Sequence, residues 1–190
     1  YTKPYLDWLA EKRDWPISRQ LWWGHQIPVW SLKTTIGELD LNYLKGLASE
    51  NLALRVHLSE EDRSVSVDAA SGYGAAEACL VDICLLEDDT DTISALEERG
   101  FKRDPDVLDT WFSSALWPYS TLGWPDPQSA KIAPGMAGVA GEGGAEDCLS
   151  YYYPGSCLVT GRDIITLWVA RMVLAGLYNL GDIPFSDVFI

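Results

Sequence analysis

The sequence predicts an α/β fold built on a parallel sheet, with a small α+β insertion. Three observations predict it. Residues 156–190 read as strand, apolar helix and strand, an order that joins parallel strands through a crossover. Residues 31–103 mix strand-like apolar runs with a short helical segment. At 190 residues and 47% hydrophobic composition, the chain is about one domain long and can bury a sizeable core. Its formal charge of −14 argues against an isolated nucleic-acid binder, which needs clustered Lys and Arg. No N-terminal segment resembles a signal peptide. The longest apolar run, Ile164 to Leu180, contains Arg171 and directly follows Arg162 and Asp163. It reads as a core helix, so no membrane association and a cytoplasmic location are expected.

Taken in order, residues 1–30 are rich in Trp and Pro with interleaved Lys12, Arg13 and Arg19, and read as an irregular packed segment. In the insertion, "ALRVHL" (53–58) and "ACLVDICLL" (78–86) read as strands. "DTISALEERG" reads as a helix capped by Thr92 and ended by Gly100. From Asp104, a short strand around Val107 and Leu108 runs into a helical turn that Pro118 should end. Five glycines and no apolar period predict a poorly ordered loop over 130–147. "SCLVTG" (156–161) is then a buried strand, Asp163 caps the following helix, Gly181 terminates it, and "PFSDVFI" (184–190) begins the next strand. In such sheets ligands sit beyond the strand C-termini, here at Thr160 to Asp163.

Cys79, Cys84, Cys148 and Cys157 have no C-x-x-C spacing, and His25 and His57 are remote from them in sequence. They read as reduced structural thiols rather than disulfides or a metal site. His25 has no neighbour with which to form a proton relay and reads as structural.

Three segments, "DWPISRQLWWGHQIPVW" (14–30), "DPDVLDTWFSSALWPYSTLGWP" (104–125) and "YPGSCLVTGRDIITLWVARMVLAGLY" (153–178), together resemble class I aminoacyl-tRNA synthetases of the Leu/Ile/Val group. The "SSALWP" and "STLGWP" wording resembles its valine-specific branch. The resemblance implies that 104–190 is the second half of a Rossmann-type catalytic sheet. It also makes 1–30 the return from an editing domain, and places 31–103 where the family varies most. Valine, ATP with Mg2+, and tRNA(Val) are the implied partners, together with the rest of the synthetase polypeptide, in a monomer. The family's HIGH-like and KMSKS-like signatures fall outside these residues, so the chain is expected to be an internal fragment, inactive alone and supplying no catalytic residue. Many relatives carry a Cys-pair zinc ribbon after the "IPxW" wording. Here "SLKTTIGELD" follows Trp30, and no zinc is expected.

By the same resemblance, Trp111, Ile164 and Trp168 wall the valine side-chain pocket, while Thr160, Gly161 and Asp163 meet the adenylate ribose. Periodicity alone reads Trp168 as core, and Asp163 as a cap; one carboxylate can serve as both cap and ligand. Arg19 either approaches a tRNA phosphate, or stacks on an indole or pairs with Asp14. Trp22, Trp23 and Trp30 are expected to pack the junction. The wording departs from the family at Pro16, Gln26 and Arg162. The alternatives are an isoleucine or leucine enzyme, a stand-alone interaction domain derived from a synthetase, and a Trp-rich binding module. The last needs its aromatics on an exposed face, whereas Trp111 and Trp168 lie in apolar runs.

Overall fold

The computed structural model describes residues 2–11, 14–48, 53–59, 63–85, 89–132 and 147–190. In chain order the elements are α1 (Thr2–Ala10), β1 (Ser18–Arg19), β2 (Val29–Thr35), α2 (Leu41–Ala48), β3 (Ala53–Leu58), β4 (Arg63–Val65), α3 (Val67–Ala70) and β5 (Ala78–Cys84). There follow α4 (Thr90–Glu98), β6 (Lys102–Arg103), β7 (Val107–Leu108), α5 (Thr110–Ser120), α6 (Cys148–Tyr152), β8 (Gly155–Val159), α7 (Ala170–Leu180) and β9 (Phe185–Phe189). Two compact units divide at 17/18 and 107/108: Ser18–Val107 forms one, and Tyr1–Ile17 with Leu108–Ile190 the other. The expected boundaries at 30/31 and 103/104 lie inside the first unit.

The Ser18–Val107 unit carries a five-stranded sheet in the order β4-β3-β5-β2-β6. Its pairings are antiparallel, with Val29 opposite Cys84 and Ala53 also opposite Cys84. Alternation along β5 turns Cys79, Val81 and Ile83 inward, where they join Trp30, Val56, Leu58 and Leu96 in the core. The two expected strands are thus present. The helix ends at Gly100, whose φ of +88° favours glycine. Its N-cap is Asp89 rather than Thr92: the Asp89 carboxylate accepts from the Thr92 backbone N–H at 3.0 Å. A carboxylate one turn ahead can reach the orphan amides, whereas a residue already inside the first turn cannot.

Residues 1–30 are not uniformly irregular or packed. Thr2–Ala10 is helical, and of the three paired or neighbouring indoles only Trp30 is buried, while Trp22 and Trp23 are exposed. Trp30 lies on the inward side of β2, with the Arg103 guanidinium 4.7 Å from its ring centre. Trp22 and Trp23 lie in a bend outside any strand, so no sheet face covers them.

The other unit contains the expected crossover. β8 and β9 pair in parallel, with Gly155 opposite Phe185 and Val159 opposite Phe189. The expected covering of both faces is not seen: Val159, Val188 and Phe189 are exposed. Between the strands, Arg162–Ile164 forms a 3-10 turn, Ile165–Val169 a π turn, and only then does α7 begin. Gly181 ends it at φ +77°. The 162–180 run is long and apolar enough, by length and composition, to cross a membrane. One side of it nevertheless packs within the unit, as Val169 and Met172 meet Ala115 of α5 and Leu158 of β8.

Pro118 does not end α5, which continues to Ser120. Proline removes the bond to the carbonyl four residues back, that of Ser114, but its own φ is helical and the later residues keep their bonds. The expected loop at 130–147 lies largely outside the described residues. Its two ends are joined, with Lys131 bridged to Asp147 and the Cys148 N–H donating to the Ala130 carbonyl at 2.8 Å. All four cysteines are free thiols. Burial first, and then the charge of Glu77, push the Cys79 thiol above its ordinary value, which keeps it unreactive.

Tyr153 tethers α7 to the chain after it. Its hydroxyl donates to the Asp182 carbonyl at 2.9 Å, and its ring meets Tyr119 edge-on at 6.0 Å. The close approach requires Gly176, where a β-carbon would stand 2.5 Å from the Tyr153 oxygen. Burial, then the Asp182 charge and Tyr119, push the Tyr153 phenol up to about 12. Because the folded value lies above the unfolded one near 10, this contribution is complete below pH 10 and is lost as pH rises through 12. The stability difference between the native chain and Tyr153→Phe is expected to shrink over that window. Urea midpoints measured from pH 8 to 12 check this, and a constant difference would refute it.

Candidate functional site

The site is built on the C-terminal end of β8 and the turns that follow. The Thr160 N–H continues the parallel ladder by donating to the Phe189 carbonyl at 2.9 Å. Its hydroxyl Oγ1 is buried with no hydrogen-bond partner among the described residues. A buried hydroxyl in that condition suits a polar group arriving from outside. At Gly161 the backbone is extended, so torsion does not demand glycine there. Space does not demand it either: a β-carbon would lie 2.7 Å from Oδ1 of Asp163, but that atom ends an exposed side chain that can swing aside.

Asp163 does not cap the helix. It is the middle residue of the 3-10 turn, for which Gly161 holds the cap position without a side-chain bond. A capping carboxylate must precede the first turn with extended torsions. Asp163 is instead exposed, with Oδ1 turned toward Gly161.

Of the three expected pocket residues, Trp111 lies in the first turn of α5, Ile164 ends the 3-10 turn, and Trp168 lies within the π turn. All three are half-buried. The spacing argument for Ile164 and Trp168 assumed a continuous α-helix, whereas a π turn separates them; such insertions frequently mark functional sites. Trp168 is brought to α5: its indole N–H donates to the Ser114 carbonyl at 3.2 Å, one turn beyond Trp111. Its ring also meets Trp117 at 5.9 Å, and Trp117 in turn stacks on Phe185 at 6.2 Å.

Sequence reasoning missed Asp109 and Trp15. Asp109 precedes α5 and is buried, yet its side chain makes no cap; Oδ2 accepts from the Trp15 indole at 3.0 Å. The Arg171 guanidinium lies 4.5 Å from the Trp15 ring centre and donates to the Leu167 and Thr166 carbonyls. A hidden carboxylate beside an arginine-covered indole is costly to leave unpaired. The available signal was "LDTW", an acidic residue inside an apolar run. This contact fixes the start of α5, and with it Trp111.

An apolar groove of about 510 Å3 lies in the same unit, lined by Tyr5 and Leu9 of α1, Val169 and Val173, and Val188 and Ile190. In the Ser18–Val107 unit, Arg19 is half-buried and donates to the Ser18 carbonyl at 2.8 Å. His25 is exposed. Among the described residues, no three His, Cys, Asp or Glu side chains group closely enough to hold a metal.

A family model described as tRNA synthetases class I (I, L, M and V) matches residues 1–190. The chain is 47% identical over 194 residues to the valine–tRNA ligase of Rhodopirellula baltica, an alignment covering all of this chain and 16% of that protein. It is 39% identical to the valine–tRNA ligase of Clostridium acetobutylicum and 40% identical to that of Thermotoga maritima, again over its whole length and over 14% and 15% of theirs. The chain thus spans 14 to 16% of the length of these relatives.

Proposed function

The chain belongs to the class I tRNA synthetases of the I, L, M and V group, and from that premise we propose that the polypeptide containing it is a valine–tRNA ligase. Valine and ATP would react to valyl-adenylate and pyrophosphate, and the acyl group would then pass to the terminal ribose of tRNA(Val). The β8–helix–β9 crossover is read as part of a larger Rossmann-type parallel sheet, whose remaining strands would cover the exposed apolar residues of β8 and β9.

The observation that carries this reading is the turn after β8. A buried Thr160 hydroxyl without a partner among the described residues and an exposed Asp163 carboxylate flank the Gly161 backbone, which Oδ1 of Asp163 approaches. That arrangement suits a ribose, whose hydroxyls donate to the carboxylate while its ring approaches the bare backbone. Trp111, Ile164 and Trp168 would wall the valine side chain, and Arg19 would approach a tRNA phosphate. Mg2+ would travel with the ATP phosphates, since the described residues offer no donor cluster of their own. Adding or losing one methylene in such a pocket is worth only about 1 to 3 kcal/mol, so valine must be separated from isoleucine by volume and from threonine by editing elsewhere.

Amino-acid-dependent ATP–pyrophosphate exchange by the complete polypeptide tests the proposal. Valine should support exchange well above isoleucine and leucine, while the isolated 190-residue chain should support none. Preference for isoleucine or leucine would assign the protein to another member of the group.

A further inference from the structure

We propose that Pro118 is a positioning residue for amino-acid selection, because it keeps the Ser114 carbonyl free to orient the Trp168 indole. The proposal rests on the pocket reading above and adds a determinant to it.

In an unbroken α-helix the Ser114 carbonyl accepts from the backbone N–H of residue 118. Residue 118 is proline inside α5, so that donor is missing, and the proline ring crowds the same carbonyl away from the helix axis. A part-buried carbonyl left so is stabilised by another donor. The structure supplies it from a different element, as the Trp168 indole N–H reaches the Ser114 oxygen at 3.2 Å across 54 residues of sequence.

The contact fixes more than one coordinate of the indole. The hydrogen bond holds the nitrogen edge, and Trp117, one residue before the proline, lies against the ring at 5.9 Å with a 37° tilt. Trp117 is backed in turn by Phe185 of β9. With edge and face both held, the ring cannot swing about its side-chain torsions, and the remaining surface of this half-buried residue presents a fixed wall. The π turn contributes by setting Trp168 toward α5 at this height. A wall that selects by volume works only if it cannot retreat, so the rigidity of the indole is the selective property.

The test uses the complete polypeptide and compares Pro118→Ala, Trp168→Phe and their combination. Alanine restores the N–H at 118, which competes with the indole for the Ser114 carbonyl. Phenylalanine keeps a ring but removes the donor. Pro118→Ala is expected to raise the KM for the activated amino acid by about two- to tenfold, the range of one neutral hydrogen bond, with kcat nearly unchanged and discrimination against the next larger amino acid weakened. Trp168→Phe should raise KM similarly, and the double variant should be no worse than Trp168→Phe alone. In spectra of the protein labelled with 15N-tryptophan, the indole resonance that Trp168→Phe removes should move upfield in Pro118→Ala.

An unshifted indole resonance, an unchanged KM and discrimination in Pro118→Ala, or additive effects in the double variant would each overturn the proposal. Should Pro118→Ala fail to fold, an unchanged KM in Trp168→Phe overturns it equally. If the parent enzyme activates an amino acid other than valine, the assigned substrate falls and the KM of that amino acid becomes the readout. A parent that activates none defeats both readings.

Discussion

Replacing Trp30 with alanine is expected to lower the stability of the chain by about 3 to 5 kcal/mol, the range for removing a large aromatic side chain from a core. Trp30 is fully buried in β2, opposite Ile83 of β5 and Arg103 of β6, in the cluster that includes Val56, Val81 and Leu96. Alanine would leave a cavity and withdraw the indole face from the Arg103 guanidinium. Trp30→Phe should cost much less. It keeps a ring, and it removes an indole N–H that has no partner among the described residues. Trp22→Ala is expected to change stability by less than about 0.5 kcal/mol, because that side chain is exposed. Urea unfolding followed by far-ultraviolet circular dichroism checks all three. Equal midpoints for Trp30→Ala and Trp22→Ala would contradict the burial of Trp30.

The second large effect concerns function. On the proposed reading, Trp168→Ala in the complete polypeptide should reduce kcat/KM for valine activation by an amount corresponding to about 2 to 4 kcal/mol, or about thirtyfold to a thousandfold. Larger amino acids should be activated relatively better. The variant empties the space of an indole that also supplies the donor for the Ser114 carbonyl and a face for Trp117. Both volume and orientation are lost, so the effect should exceed that of Trp168→Phe, which retains a ring. Steady-state exchange with valine, isoleucine and leucine measures it. Unchanged selectivity despite a folded protein would remove Trp168 from the pocket.

The family was legible in three segments of the sequence, and the match of the whole chain to the class I synthetases agrees with that reading. Much of the local structure was legible as well. The apolar run at 53–58 and the first seven residues of that at 78–86 became strands, the segment before Gly100 became a helix, and the strands at 155–159 and 185–189 paired in parallel. Gly100 and Gly181 end their helices at positive φ, as glycines in those positions suggest. These features depend on torsional preference and on the periodicity of neighbouring residues, information that lies within a few positions of each element.

Other features depended on residues far away in the chain. Trp22, Trp23 and Trp30 are the same side chain within nine positions, yet only Trp30 is buried, because only β2 is paired with β5 and β6. Asp89 rather than Thr92 caps its helix, and Asp163 caps none, because capping is decided by the residue at which helical torsions begin. Asp109 looks like a cap and is instead held by Trp15, 94 residues away. Pro118 looks like a helix end and lies inside one, since the carbonyl it leaves free is taken by Trp168. By itself, then, the sequence determined the family, five of the nine strands and three of the seven α-helices among the described residues, and the parallel pair near its end. The tertiary structure decided which indoles are buried, which carboxylates are engaged, and where Trp168 is held, because each of these requires a partner whose position is set by the packing of distant elements.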